Sequence, residues 1–285
     1  MGNNLEKYIR LITSNTTPIK VKNRAIFYLR TLGTDEAALC LEKCITNNSV
    51  LLDHEIAYVL GQMGKQCSKP FLLELAKNEE CNPIVRHEAI EALGNYGDKN
   101  IINDLLIYTD NEIPLIKESA ILAIDKLKQK DQKISLFGSK DPAYPCESTD
   151  LTLLRDLFIN GSLVEKYQSM FKLRDINTQT SVEILGEGFK DNSALLRHEV
   201  AYVFGQMENE HSVDILEAVL ADKTEEDVVR HEAAEALGAI GSERCKKILE
   251  KYRNSSIQII RESVEVGLEI LDKDIDDYLD LSKIN

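Results

Sequence analysis

The chain has 285 residues, of which 43% are hydrophobic and 29% are charged, so it is long enough for one large core or two domains of ordinary size. It contains no apolar run near the roughly 20 residues that a helix needs to span a bilayer. The sequence therefore predicts no membrane-spanning helix and no membrane partner. Its net charge of -14 argues against a nucleic-acid partner, whose phosphates require a basic surface, and suits a cationic partner.

Helical units recur along the first half of the chain. Gly33, Gly64 and Gly97 follow one another at steps of 31 and 33 residues, and the segment IPLIKESAILAIDKL adds a fourth unit. Between about Ile84 and Tyr96, apolar residues recur at steps of three and four, which is the spacing of an amphipathic helix. The preceding segment, PFLLELAKNE, predicts a shorter helix. Two helices per unit at this period predict a stacked helical array, an α-solenoid.

The residues from about 129 to 164 interrupt this pattern. Pro142 and Pro145 lie there in a polar setting, which is typical of a linker on the surface. We therefore expect an N-terminal half at 1–128, a linker at 129–164 and a C-terminal half at 165–285.

The second half repeats the first after 144 residues. HEIAYVLGQM, beginning at His54, matches HEVAYVFGQM, beginning at His198, at eight of ten positions. VRHEAIEALGNYG, beginning at Val85, matches VRHEAAEALGAIG, beginning at Val229, at ten of thirteen. The sequence thus predicts an all-α protein made of two pseudo-symmetric halves with four helix pairs each.

The same duplication carries four His-Glu dipeptides, which account for four of the five histidines in the chain. Within each half the two copies are 33 residues apart, so they are expected on the same face of neighbouring helices. They are His54-Glu55, His87-Glu88, His198-Glu199 and His231-Glu232. The fifth histidine, His211, has no counterpart in the first half and is expected on the surface.

Neighbouring helices in such an array lie about 8–10 Å apart, so the His and Glu side chains of one half can converge. Two imidazoles and a carboxylate form the facial ligand set of non-haem Fe(II), which leaves coordination positions open. The absence of thiolates in this set favours iron or manganese over structural zinc, although zinc stays possible at these donors. If the two halves face each other, two such sites would form one dinuclear centre.

Other residues also occupy equivalent positions in the two halves. Arg86 and Arg230 precede a His-Glu pair, where they either orient carboxylates or belong to the repeat architecture. Tyr58 and Tyr202 follow the first histidine of each half by one turn, where they either line a cavity or pack in the core.

Glu91 and Glu235 follow the second histidine of each half by one helical turn. We expect both on the solvated face of their helix, because charged residues on helices usually face water.

Six cysteines show neither a CxxC spacing nor a regular framework, so we expect reduced thiols and a cytoplasmic protein. They are Cys40, Cys44, Cys67, Cys81, Cys146 and Cys245.

The segments LLDHEIAYVLGQM, IVRHEAIEALG, LLRHEVAYVFGQM and VVRHEAAEALGAIG resemble those of the deoxyhypusine hydroxylases, which are di-iron monooxygenases built from HEAT repeats. The resemblance covers both halves. DPAYPC is similar to the DPAPP linker of that family, with Tyr144 and Cys146 at positions that differ from the family pattern.

This resemblance implies a fold of HEAT-like repeats and hydroxylation of the deoxyhypusine side chain on eukaryotic translation initiation factor 5A, which forms hypusine. It implies two Fe(II) ions per chain and O₂ as co-substrate, in a protein that we expect to act as a monomer. One iron would be held by His54, His87 and Glu88, and the other by His198, His231 and Glu232. Glu55 and Glu199 would bind the substrate or serve as additional ligands.

Two other functions fit parts of the same pattern. A HEAT-repeat binding scaffold similar to the bilin lyases would have comparable helices and no redox chemistry. A metal-dependent hydrolase would use the same ligands without O₂.

Overall fold

The computed structural model describes residues 2–129 and 135–271, and these residues form two compact units, one on each side of the gap. We call residues 2–129 unit 1 and residues 135–271 unit 2. The described residues contain α-helices and short 3₁₀ turns and no strand, and no described helix has the length and apolar character that crossing a membrane requires.

Unit 1 contains four consecutive helix pairs, and in each pair the second helix packs against the second helix of the next pair. Single 3₁₀ turns at Gln66–Ser68 and Lys99–Ile101 lead into the third and fourth pairs. The helices are α1 (Gly2–Thr13), α2 (Ile19–Leu32), α3 (Asp35–Glu42), α4 (Val50–Met63), α5 (Lys69–Lys77), α6 (Pro83–Gly94), α7 (Ile102–Leu106) and α8 (Pro114–Lys128).

Unit 2 repeats this order, with 3₁₀ turns at Gly188–Lys190 and Glu210–Ser212. Its second helices also form a continuous row. The helices are α9 (Leu151–Asn160), α10 (Leu163–Ile176), α11 (Gln179–Glu187), α12 (Ala194–Met207), α13 (Val213–Ala221), α14 (Asp227–Ile240), α15 (Glu243–Glu250) and α16 (Gln258–Leu271). The predicted all-α solenoid with four helix pairs in each half is confirmed.

Serine caps set the start of the two helices that carry the first His-Glu pair of each unit. The Ser49 hydroxyl accepts a hydrogen bond from the backbone N–H of Leu52 at the start of α4, and Ser193 accepts one from Leu196 at the start of α12. Each cap satisfies one of the four N–H groups that a helix start leaves unpaired. Because the caps occupy equivalent positions, both helices begin in the same register relative to their histidine.

Small residues bring the second helices close together. A Cβ atom added at Gly61 of α4 would lie 2.6 Å from the Cβ of Ala92 on α6. One added at Gly238 of α14 would lie 2.5 Å from the Cα of Gly267 on α16. This close approach allows side chains of neighbouring helices to share one small polar site.

The segment before α9 is held by a buried arginine. Residues 135–150 contain no helix, whereas α9 and the start of α10 fall inside the range 129–164 that we expected as linker. Arg174 of α10 is fully buried, and its Nη1 donates to Asp141 Oδ2 at 2.8 Å. Its guanidinium also lies 4.6 Å from the ring centroid of Phe137 and 4.8 Å from that of Phe171.

Candidate metal centre

The four His-Glu pairs lie on the second helices of consecutive repeats. In unit 1 the first pair is on α4 and the second on α6, and in unit 2 they are on α12 and α14. All eight side chains are buried, with the two histidines His87 and His231 fully so. Buried charged groups are rare unless they are paired or bind a metal.

In unit 1 the structure brings together His54, His87 and Glu88. One ligand atom from each of these residues lies within 4.8 Å of the others. The Nε2 of His54 lies 3.3 Å from Glu88 Oε2, and the two imidazole centroids are 5.6 Å apart. Two ring nitrogens and a carboxylate oxygen therefore converge on one point between α4 and α6.

Unit 2 reproduces this cluster with His198, His231 and Glu232. Their ligand atoms also lie within 4.8 Å of one another. His198 Nε2 lies 3.3 Å from Glu232 Oε2, and the ring centroids are again 5.6 Å apart. The agreement between the two units shows that the duplication preserved a side-chain geometry as well as a sequence.

The charges of the unit 1 cluster suit a cation. Burial acts to lower the pKa of His54, but the adjacent Glu55 and Glu88 outweigh it and raise this pKa well above the usual value. A buried carboxylate is costly unless a positive charge compensates it, and a divalent ion held by two imidazoles and one carboxylate does so. The donor set therefore fits Fe(II) or another divalent transition metal with open coordination positions.

The glutamate of the first His-Glu pair in each unit follows a histidine of that unit's cluster. Glu55 Oε1 is 3.4 Å from the Nδ1 of His54, and the Glu55 residue is only 6% exposed. Glu199 follows His198 on α12 and is buried to a similar degree. Neither residue belongs to the three-residue clusters described above.

Arg86 and Arg230 have an architectural role. The Arg86 Nε donates to the backbone carbonyl of Ala76, near the end of α5, at 3.1 Å. Arg230 donates to the corresponding carbonyl of Leu220, near the end of α13, through Nε at 3.3 Å and Nη2 at 3.1 Å. Both arginines therefore fasten the first helix of a pair to the second by binding carbonyls that the helix end leaves unpaired.

Each of the two tyrosines contacts groups of its own unit. Tyr58 packs against the core of unit 1, with the Arg30 guanidinium 5.8 Å from its ring centroid. The Tyr202 hydroxyl accepts a hydrogen bond from Gln206 at 3.0 Å.

The expectation that Glu91 and Glu235 face solvent is wrong. Their side chains are only 9% and 18% exposed, because the next helix of the array covers them. Glu91 accepts a hydrogen bond from Ser119 of α8, and Glu235 accepts one from Ser263 of α16. The sequence contains an indication of this contact, because the two serines occupy equivalent positions of the duplication, in the segments IKESA and IRESV.

Two further expectations agree with the structure. His211 is exposed, and all six cysteines are free thiols.

Comparison with protein-family models finds HEAT repeats at residues 182–269 and a PBS lyase HEAT-like repeat at residues 85–110. The chain is also similar to several proteins named deoxyhypusine hydroxylase. It is 35% identical over 268 residues to that of Drosophila melanogaster, covering 91% of this chain and 89% of the relative. The identity to the human protein is 38% over 260 residues, covering 89% and 86%. For the protein of Candida albicans it is 37% over 306 residues, covering 98% and 96%.

A solved structure shares the fold over almost its whole length. Human deoxyhypusine hydroxylase in complex with glycerol superimposes with a TM-score of 0.91 at 35% identity. The match covers 95% of this chain and 96% of the human chain.

Proposed function

The chain belongs to the deoxyhypusine hydroxylase family, and on that premise we propose that it hydroxylates the deoxyhypusine side chain of eukaryotic translation initiation factor 5A, forming hypusine. In this reaction one oxygen atom of O₂ enters a C–H bond of the substrate. The second oxygen atom is reduced to water, which requires two electrons and two protons from an external reductant.

We propose two Fe(II) ions per chain, one in each unit. His54, His87 and Glu88 would hold one ion, and His198, His231 and Glu232 the other. The observation that carries this proposal is the pair of buried clusters, each with ligand atoms within 4.8 Å of one another. When bound, the irons would supply the electrons that activate O₂, and we propose that they act as one di-iron centre. Both ligand sets are in one chain, which suits a monomer.

The protein groups would bind and orient the substrate. A deoxyhypusine side chain is a long amine with protonated nitrogens, so carboxylates beside the metal sites are suitable partners. Glu55 and Glu199 are buried next to the first histidine of each cluster, and we propose that they hold these nitrogens. The net charge of -14 would favour encounter with a basic protein surface. Rigid helices then keep the target carbon in place, which is the main protein contribution to such a reaction.

The decisive experiment measures iron content and O₂-dependent turnover on the deoxyhypusine-bearing factor. We expect about two irons per chain in the native protein, with iron and turnover both lost in the double variant H54A/H198A. The variant H211A, which changes an exposed histidine, serves as the control and should keep both.

Two results would contradict the proposal. Turnover under anaerobic conditions would favour a metal-dependent hydrolase. A binding scaffold would be favoured by two results together: the native protein has neither iron nor turnover, and the double variant still binds the protein partner.

A further inference from the structure

A carboxylate lies behind the second histidine of the unit 2 cluster. Glu235 is one helical turn after His231 on α14, and its Oε1 lies 3.5 Å from the ring Nδ1. Ser263 of α16 donates a hydrogen bond to the same carboxylate oxygen at 2.8 Å, and its hydroxyl lies 3.5 Å from His231 Nδ1. Two groups, one from α14 and one from α16, therefore meet on the Nδ1 side of this imidazole.

Unit 1 contains a looser form of this arrangement 144 residues earlier. Glu91 Oε1 lies 3.8 Å from His87 Nδ1, and Ser119 of α8 donates to that oxygen at 2.9 Å. Both serines are fully buried. The first histidine of each unit has a different neighbour, because a tyrosine follows His54 and His198 by one turn. A glutamate one turn later, bound to a serine of the next helix, therefore follows only the second histidine of each cluster, whereas Nδ1 of His54 is approached by the adjacent Glu55 at 3.4 Å.

The position of the carboxylate affects which ring nitrogen can bind a metal. A neutral imidazole carries a proton on one nitrogen and a lone pair on the other. A carboxylate beside Nδ1 stabilises the tautomer with the proton on Nδ1, which leaves the lone pair on Nε2. Such outer carboxylates also fix the ring orientation and increase the basicity of the ligating nitrogen.

We propose that Glu91 and Glu235 are positioning residues that hold His87 and His231 as Nδ1–H tautomers, so that Nε2 faces the metal. Ser119 and Ser263 orient the two carboxylates and tie them to the next helix. This inference rests on the proposed metal role of the two histidines.

The variant E235Q tests the proposal without removing the side-chain shape. Glutamine keeps an oxygen that can accept the Ser263 hydrogen bond, so the contact between α14 and α16 is retained while the negative charge is lost. E243Q, which changes an exposed glutamate of α15, is the matched control because it removes the same charge. E91Q is the corresponding variant for unit 1.

The first measurement uses metal-free protein and therefore needs no activity. The ring nitrogens of the five histidines are labelled with ¹⁵N, assigned by single substitutions, and observed at about pH 8.5, above the usual imidazole pKa. We expect His231 and His87 as Nδ1–H tautomers in the native protein. E235Q should shift His231, and not His87, towards a mixture of tautomers. An Nε2–H tautomer or a doubly protonated ring at His231 in the native protein would overturn the proposal.

The second measurement follows Co(II) binding by its optical spectrum. It is made in an H54A background, which disables the unit 1 cluster and isolates the unit 2 site. E235Q should weaken Co(II) binding about 10- to 100-fold, whereas E243Q should not. Unchanged affinity in E235Q would overturn the positioning role, even if the tautomer shifted.

The two measurements separate this inference from the proposed function. If the native protein bound no Co(II) or iron, the proposed function would fail. The ¹⁵N measurement would still decide whether the glutamates orient the rings.

Discussion

Glu55 lies beside His54, with its Oε1 3.4 Å from the ring Nδ1, whereas the Nε2 of the same ring lies 3.3 Å from Glu88. The two carboxylates therefore approach different nitrogens of one imidazole. We propose that Glu88 is a metal ligand and that Glu55 binds the substrate, and their positions on different nitrogens of one ring suit these different roles.

The first prediction follows from this relationship. E55Q, and the equivalent E199Q in unit 2, should keep about two irons per chain. The KM for the deoxyhypusine-bearing factor should rise about tenfold or more, because a hydrogen bond between charged groups is lost. Iron analysis and steady-state kinetics measure the two quantities. E88Q provides the contrast, since it should lose one iron. Loss of an iron in E55Q would instead make Glu55 a metal ligand.

The second prediction concerns the independence of the two clusters in metal binding. H231A removes a ligand of unit 2 and leaves the unit 1 cluster intact, so about one iron per chain should remain. Turnover should nevertheless fall below detection, because we propose that both irons act in one centre. Iron analysis and product formation check these outcomes, with H211A as the control. Half of the native turnover in H231A would show that each iron works alone.

The sequence was sufficient for the repeat fold and for bringing two histidines and a glutamate together in each unit, because each depends on spacing. His54 and His87 are 33 residues apart, which is one repeat, and equivalent positions of stacked repeats are neighbours. The burial of Glu235 could not be derived in this way. Helical periodicity places it on a face of α14, but the covering Ser263 comes from another helix 28 residues later. Contacts between repeats decide such cases, and periodicity within one helix does not reveal them.

The end of the linker is a second feature that the sequence alone does not indicate. Pro142 and Pro145 lie within residues 135–150, which contain no helix, but a polar composition does not indicate where that segment ends. The start of α9 depends on Asp150, whose carboxylate accepts hydrogen bonds from the N–H groups of Thr152 and Leu153. Such a cap is evident only when the following residues are known to be helical.

The third prediction tests the close packing of the second helices. G238A places a Cβ atom 2.5 Å from the Cα of Gly267, a backbone atom that cannot move without shifting α16. We expect destabilisation by about 1–3 kcal/mol despite the better helix propensity of alanine. Urea unfolding measures the change.

G186A is the matched control for G238A. Its Cβ would lie 2.8 Å from Cδ1 of Ile215, the flexible end of a side chain that can rotate away. Its stability should stay within about 1 kcal/mol of the native protein, because helix propensity offsets the adjustment. Equal stability of the two variants would contradict the tight contact between α14 and α16.

The fourth prediction concerns the buried pair of Arg174 and Asp141. The guanidinium is fully buried and donates to Asp141 at 2.8 Å and to Asp175 at 2.9 Å. R174A would leave the buried Asp141 without this cation, which costs about 3–5 kcal/mol. R174M/D141N removes both charges and should recover part of the lost stability. R155A is the control, because the Arg155 side chain is 55% exposed in its pair with Glu187, and water and salt screen such exposed pairs so that they contribute little to stability. The urea unfolding midpoints of R174A, R174M/D141N and R155A measure these changes in stability. If R174A and R155A had the same midpoint, Arg174 would not be the group that holds the 135–150 segment to α10.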